Sequence, residues 1–447
     1  MRHAPRITVS VRRAVSDWRI WLARGLVVTF AAAAGLTVVG YTWLTERALE
    51  GFFVASSMWW WSPLLWTPLC TGLIVWLTRR CAPGAAGSGI PQVMAALDAS
   101  VTARDRGLFV SLRLAVAKMA LTAWGLLAGL SLGREGPSVQ IAAGVLLAAK
   151  RWLPRRSAIN EQSLLVAGGA AGIAAAFNTP LAGVMFAIEE LSRSPEQRSN
   201  GLVITAIVLA GLVAISVYGN GTYFGVMHVP EVGLALLGPG MLVALSSGVA
   251  GGLFARLLIV SLSGGSSDRF SRWKRARPVG FAVVCGVVIA VMGLVTQGAT
   301  FGSGYAHTKA LLEGSDNAPA VFVLFKFLAT WLTAWSGVPG GIFAPSLAIG
   351  ASLGNDIAVL THYPHAATLI ALGMAGFLAA ATQAPLTAFI IVMEMVDGHA
   401  MVLSLMACAL IASGVSRLLS RPLYRALADM QLGRLPIATR VADKAEP

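Results

Sequence analysis

The chain has 447 residues, of which 56% are hydrophobic and only 12% are charged, and its formal net charge is +14. The charged fraction is about half that of soluble domains, which excludes a soluble protein and favours a multi-pass membrane protein. The basic residues cluster in short polar stretches, as they do in the cytoplasmic loops of membrane proteins, and this argues against a nucleic-acid partner. The four cysteines show no paired spacing, so the sequence predicts neither disulfides nor metal binding.

Residues 1–24 are basic and are predicted to form a cytoplasmic amphipathic segment before an uncleaved first membrane span. Apolar runs long enough to cross a bilayer follow along the chain. The candidate spans are residues 25–44, 52–77, 202–217, 279–295 and 401–415. The chain holds 48 Gly and 20 Pro, and many of its runs are interrupted by them. The sequence therefore predicts an all-α membrane protein with many broken helices, whose freed backbone is buried in protein or lines a cavity.

Three stretches share one pattern of flexible glycines followed by a proline at a predicted helix start. They read Gly-Ser-Gly-Ile-Pro at residues 87–91, Gly-Arg-Glu-Gly-Pro at 133–137 and Gly-Ile-Phe-Ala-Pro at 341–345. Proline suits the first turn of a helix, where its missing N–H is not needed. The free N–H groups of a helix start bind anions, so the pattern predicts a concave anion site that uses no buried cation.

The middle stretch places the carboxylate of Glu135 two residues before Pro137. The helix predicted to begin at Pro137 would present its free N–H groups to this side chain. The first anion available to that site is then the protein's own carboxylate. We predict that Glu135 acts as a lid, which fills the anion site until an ion displaces it or a proton neutralises it.

An internal sequence repeat relates the two halves of the chain. The pattern Gly-x-x-x-Pro-Ser-x-x-Ile recurs at residues 133–141 and 341–349, and a second match links residues 169–181 with 373–386, roughly 205 residues apart. This predicts one membrane domain, residues 25–430, with homologous halves at about 25–225 and 235–430, and a cytoplasmic tail at 431–447. Such repeats often place a substrate site at mid-membrane. The broken spans alone leave open whether the halves are parallel or inverted.

The repeat also separates two kinds of acidic residue. Glu189 aligns with Glu394, which predicts a shared structural role at a helix end. Glu135 aligns with Phe343 and Glu190 with a methionine, so these two carboxylates break the symmetry. A carboxylate in the hydrocarbon costs about 3 kcal/mol, which requires a reason for keeping it. We interpret both as groups that handle protons.

The three glycine-rich stretches, in this order and with this spacing, resemble the signature motifs of the CLC chloride channels and transporters, and the resemblance runs from about residue 25 to about 430. It implies a homodimer with one anion pore per subunit and halves of inverted topology. It also implies that the hydroxyls of Ser88 and Tyr424 and the backbone amides of Ile342 and Phe343 bind chloride.

For the proton, the resemblance implies that Glu135 is the external gate and proton carrier, and that Glu190 is the inner proton acceptor of the exchanger branch. Lys118 stands where that branch carries a lysine near the inner proton route, so it is a candidate for that route. Met94 stands where some relatives carry another acid, which implies that the route differs in detail. The tail is too short for the paired regulatory nucleotide-binding domains of many eukaryotic members.

The sequence therefore predicts a chloride/proton antiporter of the inner (plasma) membrane, with both termini cytoplasmic. Its partners would be chloride, protons, lipid and a second copy of the chain, with no metal or cofactor other than bound chloride and no enzymatic activity. A passive voltage- or pH-gated chloride channel of the same fold is the alternative. An intramembrane serine hydrolase would need a base near Ser88, and no histidine lies in a comparable apolar segment.

Overall fold

The computed structural model describes residues 18–154, 159–192, 201–219, 221–225, 233–264, 268–314 and 321–433. The α-helices of the first half are α1 (Trp18–Met58), α2 (Ser62–Cys81), α3 (Ile90–Ala96), α4 (Leu112–Leu127), α5 (Glu135–Ala148), α6 (Glu161–Phe177), α7 (Pro180–Phe186) and α8 (Gly201–Tyr218). Those of the second half are α9 (Leu237–Ser263), α10 (Arg269–Ala276), α11 (Pro278–Val295), α12 (Tyr305–Leu312), α13 (Val321–Ser336), α14 (Phe343–Leu360), α15 (Ala366–Thr382), α16 (Pro385–Val396), α17 (Val402–Leu419) and α18 (Leu423–Leu432).

The prediction of an all-α, multi-pass membrane fold is confirmed. Within the described ranges, six helices are long and apolar enough to cross a membrane. Shorter helices such as α3, α7 and α12 begin or end inside the protein, as the many Gly and Pro interruptions predict.

The first spans differ from the prediction in their boundaries. Residues 25–44 and part of 52–77 form one 41-residue helix, α1, and the turn at residues 59–61 then begins α2. Pro63 lies in the first turn of α2, where its fixed φ starts a new helix. Helix α1 already begins at Trp18, inside the stretch predicted as an amphipathic segment, while residues 1–17 and the tail after 433 lie outside the described residues.

The two halves meet through backbone pairing of equivalent residues. Gly133 and Gly341 form an antiparallel bridge, in which each N–H donates to the carbonyl oxygen of the other at 2.8 Å. These glycines occupy the same position in the internal repeat. Antiparallel pairing of equivalent residues indicates a local two-fold axis between them, so the sequence repeat is also a structural repeat.

A second symmetric contact fixes the helices that follow the prolines of each half. The carboxylate of Glu394 accepts hydrogen bonds from the N–H groups of Leu181 (3.2 Å) and Ala182 (2.7 Å) at the start of α7. The carboxylate of Glu189 does the same for Leu386 (3.1 Å) and Thr387 (2.7 Å) at the start of α16. Each half thus caps a helix of the other. The predicted structural role of this pair at a helix end is confirmed.

We expect Glu394→Gln to lower the midpoint of thermal unfolding in detergent by about 2–5 °C, because charge-assisted hydrogen bonds at a helix start are among the stronger ones. Glu313→Gln is the control, since Glu313 is exposed and only approaches Lys309 at 3.8 Å. Thermal unfolding followed by size-exclusion chromatography measures both variants. Equal midpoints for the two variants would contradict a capping role.

Candidate functional site

The three glycine-rich stretches converge on one place in the protein. Gly133 pairs with Gly341, and the N–H of Gly340 donates to the carbonyl oxygen of Gly87 at 3.1 Å. Helices α3, α5 and α14 begin directly after these stretches. The predicted meeting of three helix starts is therefore present, and it is held together by backbone hydrogen bonds between the loops.

The loop that carries Ser88 is fixed by its own helix cap. Gly89 is the N-cap of α3 and has φ +111°, a conformation that favours glycine. The side chain of Gln92 accepts a hydrogen bond from the Gly89 N–H at 3.0 Å and donates to the carbonyl oxygen of Ala86. The loop is thereby closed on both sides of Ser88.

Lys118 holds the backbone of the same loop through hydrogen bonds. It is fully buried in α4, and its ammonium donates to the carbonyl oxygens of Ala85 at 2.7 Å and Gly87 at 2.5 Å. The structure thus places Lys118 against the Ser88 loop, where it holds the backbone. A role of this lysine in a proton route stays a prediction.

The second half contains an equivalent lysine that the sequence analysis missed. Lys326 is fully buried in α13 and donates to the carbonyl oxygens of Thr300 at 3.0 Å and Gly302 at 2.8 Å. The two acceptors again lie two residues apart, in the loop before a short helix, α12. A lysine following Gly-Ser-Gly in each half was the sequence signal that could have revealed this pair.

Two buried hydroxyls face each other without a hydrogen bond. Ser88 is 9% exposed and Tyr424, in the first turn of α18, is 1% exposed. The two hydroxyl groups lie close together, yet neither has a hydrogen-bond partner among the described residues. A buried donor without an acceptor costs about 1–3 kcal/mol, so this pair is suited to an anion that accepts both hydrogen bonds.

The start of α14 adds backbone donors beside these hydroxyls. Phe343 is the first residue of α14, and its ring stacks on Tyr424 with 5.9 Å between the ring centroids. The N–H groups of Ile342 and Phe343 form no hydrogen bond to another described residue. Free amides at a helix start carry partial positive charge. The structure therefore brings Ser88, Tyr424, Ile342 and Phe343 together, as the resemblance implies.

Glu135 is the first residue of α5 and is 1% exposed. Its Oε2 accepts a hydrogen bond of 3.4 Å from the N–H of Ala344, while its Oε1 has no partner among the described residues. The Ala344 donor belongs to α14, and this contact with the other half is a difference from the sequence prediction, which considered only the helix of Glu135 itself. The difference arises because the pairing of Gly133 with Gly341 sets the starts of α5 and α14 against each other.

Glu135 lines one cavity, and the hydroxyls of Ser88 and Tyr424 line another. A cavity of about 380 Å³, the larger cavity, is lined by Ser88, Ile342 and Tyr424 together with the basic residues Arg79 and Lys274. A cavity of about 70 Å³, the smaller cavity, is lined by Glu135 and by polar groups from several elements. Glu135 thus stands between the anion ligands and the smaller cavity. No histidine of the described residues lines the larger cavity.

Arg134 holds the loop of Glu135 from the side of the smaller cavity. Its guanidinium donates to Glu46 Oε1 at 2.7 Å and to the hydroxyl of Tyr223 at 3.2 Å, and it lies over the Tyr223 ring at 5.9 Å. These contacts join α1, the loop of Glu135 and the segment between the halves. Arg134 is therefore balanced by a carboxylate and is not a free cation.

Glu190 lies apart from the anion ligands. It follows α7 in a single π-helical turn, Ala187–Leu191, and is partly exposed. Its charged neighbours are Glu189 and Arg425, and it lines neither the larger nor the smaller cavity. Tyr424 is near enough to both Glu135 and Glu190 to interact with each electrostatically. Met94 is buried in α3, and the basic residues of 193–200 lie outside the described residues.

A membrane fold of two repeated halves, in which helix starts converge on unpartnered buried hydroxyls, is typical of a membrane transport protein. The family model described as voltage gated chloride channel matches residues 69–417, and the chain belongs to this family, the CLC family.

Curated relatives and solved structures agree with this assignment. The chain is 30% identical over 421 residues to the H⁺/Cl⁻ exchange transporter ClcA of Cronobacter sakazakii, covering 90% of this chain and 88% of the relative. It is 29% identical over 436 residues to the ClcA of Klebsiella pneumoniae subsp. pneumoniae, covering 92% and 90%.

Among solved structures, a slow cyanobacterial Cl⁻/H⁺ antiporter superposes with a TM-score of 0.79 at 26% identity, covering 92% of this chain and 98% of the other. A CLC-type fluoride/proton antiporter superposes with a TM-score of 0.75 at 22% identity, covering 92% and 99%. The likeness to the fluoride/proton antiporter shows that the two proteins share a fold.

We expect Gly136→Ala to weaken chloride binding about tenfold, the effect of losing one well-placed donor to a charged group. A Cβ at Gly136 would lie 2.3 Å from the Ser88 hydroxyl oxygen and 2.9 Å from the Ser88 carbonyl oxygen, so the serine must move. Titration calorimetry with chloride measures the affinity. Gly107→Ala is the control, because no atom lies within 4 Å of the added carbon. Unchanged affinity in Gly136→Ala would show that Ser88 does not bind the ion.

Proposed function

We propose that this protein is a chloride/proton antiporter, with Glu135 as the external gate and proton carrier and Glu190 as the inner proton acceptor. The observation that carries the proposal is the position of the Glu135 carboxylate. It is buried against the start of α14 beside a pair of buried hydroxyls, and one of its oxygens has no partner among the described residues. The names of the relatives, H⁺/Cl⁻ exchange transporters, support the same activity.

Chloride would be held by donors without a buried counter-charge. The hydroxyls of Ser88 and Tyr424 and the amides of Ile342 and Phe343 replace water around the ion, and the partial positive charge of α14 attracts it. The larger cavity leads to these donors, and Arg79 and Lys274 in its lining raise the local anion concentration. A site of this kind binds an anion without trapping it, as transport requires.

Glu135 would couple the ion to the proton through competition for the same donors. When it is ionised, its carboxylate accepts from the N–H of Ala344 and occupies the start of α14, where a chloride ion would otherwise bind. When it is protonated, it no longer competes as an anion and can leave. Chloride then enters while the proton travels with the side chain. One carboxyl group thus serves both ions in turn.

The orientation follows from the basic residues around the larger cavity. Arg79, Arg80, Lys274 and Arg425 lie near this end of the protein, which the positive-inside rule assigns to the cytoplasm. Glu190, beside Arg425, would therefore exchange protons with the cytoplasm. The proton and chloride routes would share Glu135 and separate on its cytoplasmic side, since Glu190 lines neither the larger nor the smaller cavity.

A passive chloride channel of the same fold is the alternative function. It would use Glu135 only as a gate and would need no second acid. Glu190 favours the exchanger, because it is placed in a π-helical turn, a feature frequent at functional sites, and it caps no helix, unlike its neighbour Glu189. We further propose a homodimer in the plasma membrane with both termini cytoplasmic, and cross-linking in native membranes would test the dimer.

We expect Glu135→Gln and Glu135→Ala to keep chloride flux at or above the wild-type rate and to lower coupled proton movement at least about tenfold, because a neutral side chain neither competes with chloride nor carries a proton. Liposomes with simultaneous chloride and pH electrodes measure both fluxes. Proton movement against its gradient in Glu135→Ala would overturn the gating role.

We expect Glu190→Gln to retain chloride flux and to lose uphill proton movement, because the amide cannot accept a proton from the cytoplasm. The matched control is the adjacent Glu189→Gln, which alters the cap of α16 and should lower stability without removing the proton acceptor. The same electrodes, together with thermal unfolding, separate the two effects. If Glu190→Gln still drives protons uphill, the proton enters by another group.

A further inference from the structure

Helix α10 is a short basic helix between two helices that are able to span the membrane. Helix α9 ends at Ser263 and α11 begins at Pro278, and both are long and apolar enough to cross a bilayer. Helix α10, Arg269–Ala276, therefore lies near the membrane surface at which one span ends and the next begins. The mechanism proposed above uses α10 only for Lys274, which lines the larger cavity.

Hydrogen bonds fix α10 at both of its ends. The carboxylate of Asp268, the N-cap residue, accepts a hydrogen bond from the N–H of Ser271 at 2.9 Å. Near the other end, the guanidinium of Arg275 donates to the carbonyl oxygen of Gly264, the residue directly after α9. The helix is thus attached to the end of a span, and its exposed side chains are held at a defined place on the surface.

One side of α10 belongs to an aromatic cluster. The Trp273 ring contacts the Phe281 ring edge to face, with 5.4 Å between the centroids, and Phe281 contacts Trp335 in the same way at 4.7 Å. Phe270, three residues before Trp273, approaches Trp335 at 6.5 Å but remains 60% exposed. Tryptophan is enriched at the boundary between bilayer and water, and an exposed phenylalanine ring beside it is more stable in lipid than in water. These rings indicate that α10 lies at the level of the lipid headgroups.

The exposed polar side of α10 is basic. Five of the nine residues from 269 to 277 are Arg or Lys. Arg269 and Arg272 lie one turn apart, both are exposed, and neither forms an ion pair with a described residue. The planar guanidinium group matches phosphate in geometry and charge, and its apolar stem can lie beside lipid while the charge stays at the headgroups. This side of the helix therefore fits an anionic phosphate group.

We propose that α10 binds the phosphate groups of anionic phospholipids through Arg269 and Arg272, with Phe270 against the acyl chains. A cluster of basic residues directly beside a span is typical of such recognition, and a helix with aromatic and basic sides is typical of one that lies in the membrane surface. The positive-inside rule assigns this end of the spans to the cytoplasmic leaflet. A soluble anion would engage the arginines but would leave the Phe270 ring in water. The inference does not depend on which ions the protein transports.

The test measures which lipid lies beside α10. A fluorescent label is attached to Ala276→Cys in a Cys81→Ser background, because Ala276 is exposed and the other three cysteines are buried. The full-length protein is placed in phosphatidylcholine liposomes that contain either phosphatidylglycerol or phosphatidylcholine brominated in the acyl chains, and quenching of the label is compared. We expect stronger quenching by brominated phosphatidylglycerol. Arg269→Gln and Arg272→Gln should each lower this preference about fivefold, the effect of one basic residue near an anionic lipid surface.

The matched control is Arg47→Gln, which also removes one exposed arginine. Arg47 pairs with Glu50 at 2.8 Å and adjoins Glu46, which lines the smaller cavity, so this variant should leave the lipid preference unchanged. Phe270→Ser should weaken quenching by both brominated lipids and keep the preference for phosphatidylglycerol, because it removes the contact with acyl chains and leaves the arginines in place.

Three results would overturn the inference, and none of them bears on the antiporter proposal. Equal quenching by the two brominated lipids, or an unchanged preference in both arginine variants, would show that α10 does not select anionic lipid. Loss of the preference in sodium phosphate but not in sodium chloride of equal ionic strength would show that the patch binds free phosphate. A label that neither lipid quenches would show that protein covers α10.

Discussion

The pairing of Gly133 with Gly341 is the contact on which the site depends. Two hydrogen bonds of 2.8 Å hold the starts of α5 and α14 together at the point where the halves meet. Because the first N–H groups of each helix lack partners within their own helix, this arrangement concentrates free donors in the protein interior. Glycine is needed at such a contact, since a Cβ at Gly341 would lie 3.0 Å from the backbone nitrogen of Gly136.

Around that contact, most buried charges are already satisfied. Lys118 and Lys326 donate to loop carbonyls, Glu189 and Glu394 accept from helix starts, and Arg134 is paired with Glu46. These groups fix the scaffold through contacts within the protein. The unpartnered buried atoms of Ser88, Tyr424 and Glu135 stand apart from this satisfied scaffold, and they form the site at which we propose that chloride and protons exchange.

Much of this could be predicted from the sequence, because helix starts after glycine and proline are local features and the internal repeat reports symmetry. The role of Glu189 with Glu394 followed from alignment alone. The donor to Glu135 could not be predicted locally, since Ala344 lies in the other half and approaches only through the antiparallel pairing. Lys326 was missed because its loop lacks the proline. Its role appears only when burial and hydrogen bonding are known.

The symmetric scaffold also shows where the two halves differ. At equivalent positions, α5 begins with Glu135 and α14 with Phe343, so one helix start carries a titratable lid and the other an aromatic ring stacked on Tyr424. The backbone is the same at the starts of α5 and α14, and only the side chains of Glu135 and Phe343 differ. A carboxylate on one side of the anion ligands responds to protons, whereas a phenylalanine does not. In the mechanism proposed here, proton coupling arises where the repeat is broken, and the backbone pairing of the halves fixes the position of that difference.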